Sequence, residues 1–347
     1  LADAGAGPDR VTADARADEP TKPRVFLTRL IPEPGLTSLR EAFEVVGGTE
    51  DRPATREELL SNVRDVDAML CLLTESIDKE VVDATGPRLR VISNMAVGFD
   101  NIDVPAATAR RIVVTNTPGV LTDATADLTW SLILALSRRV VEGDRLVREG
   151  RFPTWGPFVL LGREVFGATL GIVGMGRIGQ AVARRAAGFE MPVLYVRRGG
   201  PLADAGIPCG ARWEYREELD DLLRESDIVS LHVPLDQRTR HLIGERELSL
   251  MRPGSFLINT SRGPVVDEAA LVAALREGEL GGAGLDVYER EPELAPGLVG
   301  LDNVVLLPHL GSGTRETRGR MAEMAARNAI AIVHGEGKAS VVNPEVL

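Results

Sequence analysis

Between residues 169 and 180 the chain reads TLGIVGMGRIGQ, an apolar run and then Gly174, Gly176 and Gly179 in the order G-x-G-x-x-G. The next segment, AVARRAAGF, has helical spacing. A strand, a glycine turn and a helix in this order make a cradle for a dinucleotide pyrophosphate. The first glycine allows the tight turn, the second lets backbone approach the phosphates, and the third lets helix pack closely on strand. Free N–H groups of the first helical turn, at Arg177 and Ile178, then face the anion. A glycine triplet alone is a weak signal; the strand and helix around it make nucleotide binding the expectation.

Length and charge narrow the class. A chain of 347 residues exceeds the size at which single cores stop growing, so two domains are expected. The net charge of −11 argues against nucleic acid and anionic membranes as partners. No apolar stretch reaches the ~18–20 residues that span a bilayer. The nearest, around Leu128 to Val141, is interrupted by Thr129, Ser131, Ser137, Arg138 and Arg139. Residues 1–22, rich in Ala, Asp, Gly and Pro, read as a disordered leader without the basic-then-apolar order of a secretory signal. Cys71 and Cys209 form no disulfide framework and no metal pattern, so no metal is expected and the cytoplasm is the default location.

From Arg24 onward β-rich and helical runs alternate. Residues 25–28, 68–73, 91–95 and 112–116 read as buried parallel strands, with helices over 36–43 and 56–63 between them. Segment 122–150 reads as one helix of about 40 Å, opened by a Thr122 cap and closed by Gly150. Its Leu128, Leu132, Leu136 and Val140 recur at period four, a face expected to bury against a second copy of the chain. Six further strands follow, at 169–174, 193–196, 228–232, 255–259, 284–288 and 304–308, which fits a doubly wound dinucleotide fold. A last helix over 314–334 is expected to pack back on the first domain.

The nucleotide's identity is readable where the second strand of that fold ends. NAD-binding versions carry an acid there for the ribose 2′-hydroxyl. Here VLYV runs into Arg197, Arg198 and Gly199. Two guanidiniums suit a 2′-phosphate by charge and by fork geometry, so NADP(H) is preferred and NAD(H) remains possible; two solvated arginines are the plain alternative. Reduced pyridine nucleotides need a proton-handling partner. Of the four histidines, His309 follows the strand VVLLP at the carboxyl edge of the sheet. His232, in LHVPL, is its competitor and is expected to shape a nucleotide-pocket loop through backbone, with Pro234 enforcing the turn. His241 and His334 read as surface or helix-end residues.

Seven segments carry a resemblance: NMAVGFDNIDV (94–104), TNTPGVLTDATAD (115–127), GIVGMGRIGQ (171–180), LHVPL (231–235), MRPGSFLINTSRGPVVDE (251–268), GAGLDVYEREP (282–292) and LLPHLGSGT (306–314). Together they resemble the D-isomer-specific 2-hydroxyacid dehydrogenases, in the glyoxylate/hydroxypyruvate reductase branch, from about residue 24 to the end. The resemblance implies an α/β chain of two doubly wound parallel-sheet domains, a Rossmann dinucleotide-binding domain (122–311) inserted into a split flavodoxin-like substrate domain (23–121 and 312–347). It also implies a closing cleft and a homodimer, for which the face of helix 122–150 is the expected contact.

Carried over by position, the family's catalytic arginine falls on Arg262, its acid on Glu291 and its histidine on His309. Arg262 would fork onto a 2-oxo acid. His309 would donate a proton to the carbonyl oxygen, with Glu291 favouring the charged ring. Val97 and Gly98 resemble the carboxylate-binding loop, and Asp286 the residue that meets the nicotinamide carboxamide. Thr260, Gly311, His232 and Pro234 join the nucleotide side. Trp155 occupies the position from which one subunit reaches the other's active site, a hydrophobic anchor being the alternative. Leu73, with Leu72, would wall the substrate side and suit a small substituent, not a phosphate. That weakens a 3-phosphoglycerate dehydrogenase, as does the lack of a regulatory domain after residue 347. A nucleotide-sensing corepressor on the same fold is the reading from another class.

Overall fold

The computed structural model describes residues 22–203 and 210–347. Apart from Lys22, the expected leader lies outside the described residues, and so does Cys209.

The first sheet is built from β1 (Arg24–Leu27), β2 (Glu44–Gly47), β3 (Ala68–Cys71), β4 (Val91–Asn94) and β5 (Val113–Thr115) in the order β2-β1-β3-β4-β5, every pair parallel. β3 and β4 are buried at every position, so neither alternates apolar with exposed polar residues; in β4 the buried Ser93 and Asn94 are polar and hydrogen-bonded. Helices α1 (Gly35–Ala42), α2 (Arg56–Asn62), α3 (Lys79–Ala84) and α4 (Val104–Ala109) make the crossovers. Local caps set their starts. Thr55 and Glu58 form a reciprocal capping box on α2, and the Asp78 and Asp103 carboxylates accept first-turn amides of α3 and α4.

The second sheet follows α5 (Thr122–Ser137) and α6 (Val140–Arg148). Its elements are β6 (Leu170–Val173), α7 (Arg177–Ala186), β7 (Val193–Val196), β8 (Trp213–Tyr215), α8 (Leu219–Glu225), β9 (Ile228–Leu231), α9 (Glu245–Leu250), β10 (Phe256–Asn259), α10 (Glu268–Glu277), β11 (Gly282–Leu285) and β12 (Val304–Leu306). The order β12-β11-β10-β9-β6-β7-β8 reverses direction between β6 and β9, so the glycine loop after β6 sits at the switch point where such sheets bind ligands.

The chain then returns to the first sheet. α11 (Arg315–His334), capped by Thr314, lays Met321, Ala322, Ala325, Ala326 and Ala329 into the core beneath β1, β3 and β4. The Ser93 hydroxyl donates to the Ala325 carbonyl at 2.8 Å, and Val341 bridges to Thr115 on β5. The expected packing of helix 314–334 on the first domain is what the structure has.

Three expectations need correction. The helix over 122–150 is two helices: Arg139 takes a left-handed backbone (φ 51°), and the Arg163 amide returns to the Ser137 carbonyl at the end of α5. Thr122 does not cap it; Leu121 holds that position without a side-chain bond. The leucine stripe is not a docking face either, because Leu132 and Leu136 are buried in the core of their own domain, over β11. Smaller differences are physical too. β2 and β8 escaped notice as short edge strands with exposed positions, and the strand expected at 284–288 lies at 282–285, where Gly and Ala carry little apolar signal.

Candidate active site

The nucleotide cradle is preformed at the backbone. Gly174 has φ 99°, and a Cβ on it would lie 2.6 Å from the His232 carbonyl oxygen, so both conformation and space demand glycine. Gly179 packs α7 against the turn, and Gly176 caps α7 with open space around it. No side chain caps α7 and no acid stands in its first turn, which leaves the Arg177 and Ile178 end of the helix electropositive. These residues fit a pyrophosphate.

At the end of β7 the two arginines differ. Arg198 forks onto Asp236 at 2.6 and 3.0 Å, which holds the Asp236 carboxyl well below the usual carboxylate range. Arg197 is half-buried and makes no ion pair with the described residues. The Pro234 carbonyl accepts from Thr239 Oγ1 at 2.7 Å, tying down the loop that follows His232.

His232 is held by the Ser230 hydroxyl, 2.9 Å from Nε2. The residue keeps some surface, yet burial of its ring pushes its pKa down to about 3, so it is neutral. His309 has the opposite surroundings. Its Nδ1 lies 2.8 Å from Glu291 Oε2, and both side chains are partly exposed. Burial raises the Glu291 carboxyl pKa, but the His309 bond and charge, the Tyr288 amide and the Arg262 charge outweigh it, and the net shift is downward. His309 has φ 54°, a backbone state rare outside glycine. Asp286 holds it there: its carbonyl accepts the His309 amide at 2.9 Å, and its carboxylate accepts the Leu310 and Gly311 amides at 2.6 and 2.8 Å. Burial drives the Asp286 pKa upward against those amides and the His309 charge. From behind, Thr125 Oγ1 donates to the Gly311 carbonyl at 3.1 Å, and Thr260 pairs with Thr129 at 2.9 Å.

On the substrate side Arg262 comes from the turn after β10, which Asn259 shapes by donating to the Arg262 carbonyl and accepting from Ser261. Its guanidinium reaches across to the other domain. A Cβ on Gly98 would lie 1.9 Å from Arg262 Nη2, so only glycine permits this approach. The Val97 and Gly98 carbonyls accept from Asn116 and Asn94, while neither amide has an acceptor among the described residues. Leu73 is half-buried in the loop after β3, which Glu75 ties up through the Leu72 amide and the Thr28 and Thr74 hydroxyls. Two amides, one guanidinium and one histidine–carboxylate pair can hold an anion and move a proton beside it.

Trp155 is 78% exposed, and Phe152, Phe158, Leu161 and Phe166, near it in sequence, are exposed as well. His241 binds Glu289 at 2.8 Å on the surface, and His334 ends α11 against Phe43, as expected of both. Asp100, Asn101, Glu75 and Asn259 escaped the sequence reading. Asp100 and Asn101 lie inside the GFDN segment, but nothing there shows which distant side chain they meet.

Comparisons with known proteins show the family of the chain. The family model described as D-isomer specific 2-hydroxyacid dehydrogenase, NAD binding domain, matches residues 130–311. A glyoxylate reductase of Thermofilum pendens is 53% identical over 338 residues, covering 94% of this chain and 96% of that protein. A glyoxylate reductase of Thermococcus gammatolerans is 52% identical over 331 residues, covering 94% and 97%. A solved NADPH-dependent glyoxylate/hydroxypyruvate reductase of Sinorhizobium meliloti, in complex with NADP and malonate, superposes with a TM-score of 0.83 at 35% identity, covering 93% of this chain and 97% of that one. Among the described residues no helix is long and apolar enough to cross a membrane. The chain belongs to the D-isomer-specific 2-hydroxyacid dehydrogenases, NAD(P)-dependent oxidoreductases, in the glyoxylate reductase branch.

Proposed function

We propose that this chain reduces a small 2-oxo acid of the glyoxylate or hydroxypyruvate type to the D-2-hydroxy acid, with NADPH preferred and His309 as general acid. The observation that carries the reading is the approach of Arg262 Nη2 to Gly98, in the loop whose Val97 and Gly98 amides have no acceptor among the described residues, with the Arg262 charge acting on Glu291 of the His309–Glu291 pair. The amides and the guanidinium hold the substrate carboxylate and steer its carbonyl oxygen. A bound nicotinamide supplies the hydride. His309 presents Nε2 to the carbonyl oxygen and gives up its proton there, because Nδ1 is committed to Glu291. Glu291 keeps the ring oriented and its charged form stabilised until that transfer. Asp286 fixes the backbone of His309.

The cofactor preference rests on Arg197 and Arg198, which replace the acid that would repel a 2′-phosphate. Arg197 carries more of it, since Arg198 is already forked onto Asp236. Apolar Leu73 supports a small substituent on the substrate. A homodimer is part of the reading. α6 buries none of its residues and leaves Val140, Val141 and Val147 exposed, continuous in sequence with Phe152, Trp155 and Phe158. A surface so apolar suits a second copy, with Trp155 completing the partner's pocket.

Initial rates with glyoxylate, hydroxypyruvate, pyruvate and phenylpyruvate, each with NADPH and with NADH, test the proposal. Highest kcat/KM for glyoxylate or hydroxypyruvate with NADPH is expected. No turnover of any 2-oxo acid would overturn the enzymatic reading, and a tenfold preference for NADH would overturn the arginine argument alone.

A further inference from the structure

Arg262 is gripped from both sides of the cleft. Its Nη1 donates to the Ser261 carbonyl at 2.9 Å, within its own domain. Its Nε donates to the Asp100 carboxylate, at 3.0 and 3.3 Å from the two oxygens, although Asp100 belongs to the other domain and lies 162 positions earlier in the chain. With Nη1 and Nε engaged, Nη2 is left over Gly98, whose amide has no acceptor among the described residues.

Asp100 stands on a braced loop. Asn94 Nδ2 donates to the Gly98 carbonyl at 2.9 Å and to Asn101 Oδ1 at 3.0 Å. Asn101 Nδ2 in turn donates to the Leu72 and Glu75 carbonyls at 2.9 and 3.1 Å. The Asp100 loop and the Leu73 loop are therefore one hydrogen-bonded unit, and Arg262 touches that unit from the opposite domain.

Charge alone would argue against Asp100. A carboxylate next to a site for a carboxylate repels its ligand and spends part of the Arg262 charge. What it gives in exchange is geometry: a planar fork held at Nη1 and Nε can point Nη2 in only one direction. Separation of the domains removes one of the two grips.

We infer that Asp100 is a positioning residue, which orients the Arg262 fork only when the two domains meet and so makes the substrate carboxylate site conditional on cleft closure. This rests on the 2-oxo acid reading above. Asp100 touches neither the reacting atoms nor the nucleotide cradle; it acts through Arg262.

The test uses this chain as wild type, Asp100→Ala, Asp100→Asn, Arg262→Lys and the double variant Asp100→Ala with Arg262→Lys. Two quantities are read: kcat/KM for glyoxylate with NADPH, and the Kd of oxalate, an unreactive dianion, in the presence of NADPH. Asp100→Ala is expected to lower kcat/KM by roughly 10- to 100-fold, the scale of an ångström's misplacement. It should also weaken oxalate while leaving the Kd of NADPH alone. Asp100→Asn keeps an acceptor for Nε and should recover most of the loss. In the Arg262→Lys background, which has no fork to orient, Asp100→Ala should change the Kd of oxalate little. An Asp100→Ala enzyme equal to the wild type overturns the inference. So does an equal loss from Asp100→Asn and Asp100→Ala, or an undiminished effect in the Arg262→Lys background. A wild type that neither turns over glyoxylate nor binds oxalate removes the substrate reading, and this inference with it.

Discussion

His232 follows β9 directly and His309 lies just beyond β12, so both stand at the carboxyl edge of the same sheet. Their positions in the fold are nearly equivalent, and their chemistry is not. His232 packs its ring away from water on the Ser230 hydroxyl, where burial keeps it neutral down to about pH 3. His309 meets a carboxylate at 2.8 Å, keeps contact with solvent, and has its backbone fixed in a left-handed turn by three bonds to Asp286. A strand end offers a histidine to the cleft; the partner and the degree of burial decide whether it can carry a proton. The two arginines after β7 repeat the lesson. One is occupied by Asp236 and the other is not engaged by any described acid.

Each prediction strikes one side of these contrasts. The largest effect belongs to His309→Gln, which keeps a hydrogen-bonding shape but cannot be an imidazolium. Its kcat should fall by roughly 10²–10⁴, the usual range for general acid–base help, while the Kd of NADPH holds. Glu291→Gln should cost less, on the order of tenfold, since it removes the charge and keeps the bond. A Glu291→Gln enzyme with unchanged kcat would detach Glu291 from the proton transfer. Arg197→Asp should shift the NADPH-to-NADH specificity ratio towards NADH by about tenfold or more, whereas Arg198→Ala should shift it less.

The smallest catalytic effect is expected at His232, where the readout is stability. A ring neutral in the folded state takes up a proton more readily when unfolded. Its contribution is therefore complete above pH 6.5 and declines as the pH falls from there towards 3, by up to about 1.4 kcal/mol per pH unit. His232→Gln should flatten that acid-side decline in urea melts between pH 6.5 and 4, with kcat near the wild type. An unchanged slope would mean that the His232 ring is not desolvated.

Much of this was legible in the chain itself, and the illegible parts share a cause. The glycine cradle, the buried parallel strands and the helix over 314–334 are local patterns, so periodicity and turn chemistry report them. The break at Arg138–Arg139 carries no Gly or Pro; it follows from the Arg163 amide returning to Ser137. The leucine stripe of α5 shows that it must be buried, not against what. The strand-end position of His309 was visible, as was that of His232, and the resemblance supplied Glu291 as the partner of His309; the burial of the His232 ring against Ser230 is a tertiary fact. Asp100 and Arg262 meet across two domains, where no spacing rule reaches.

In the proposed reaction the proton comes from His309 and not from its twin at the other strand end. Single-turnover oxidation of enzyme-bound NADPH by saturating glyoxylate reads that step alone, in wild type, His309→Gln and His232→Gln. A rate roughly 10²–10⁴ slower is expected for His309→Gln, and a rate close to wild type for His232→Gln. Near-normal oxidation in His309→Gln, or a comparable collapse in a folded His232→Gln enzyme, would contradict it.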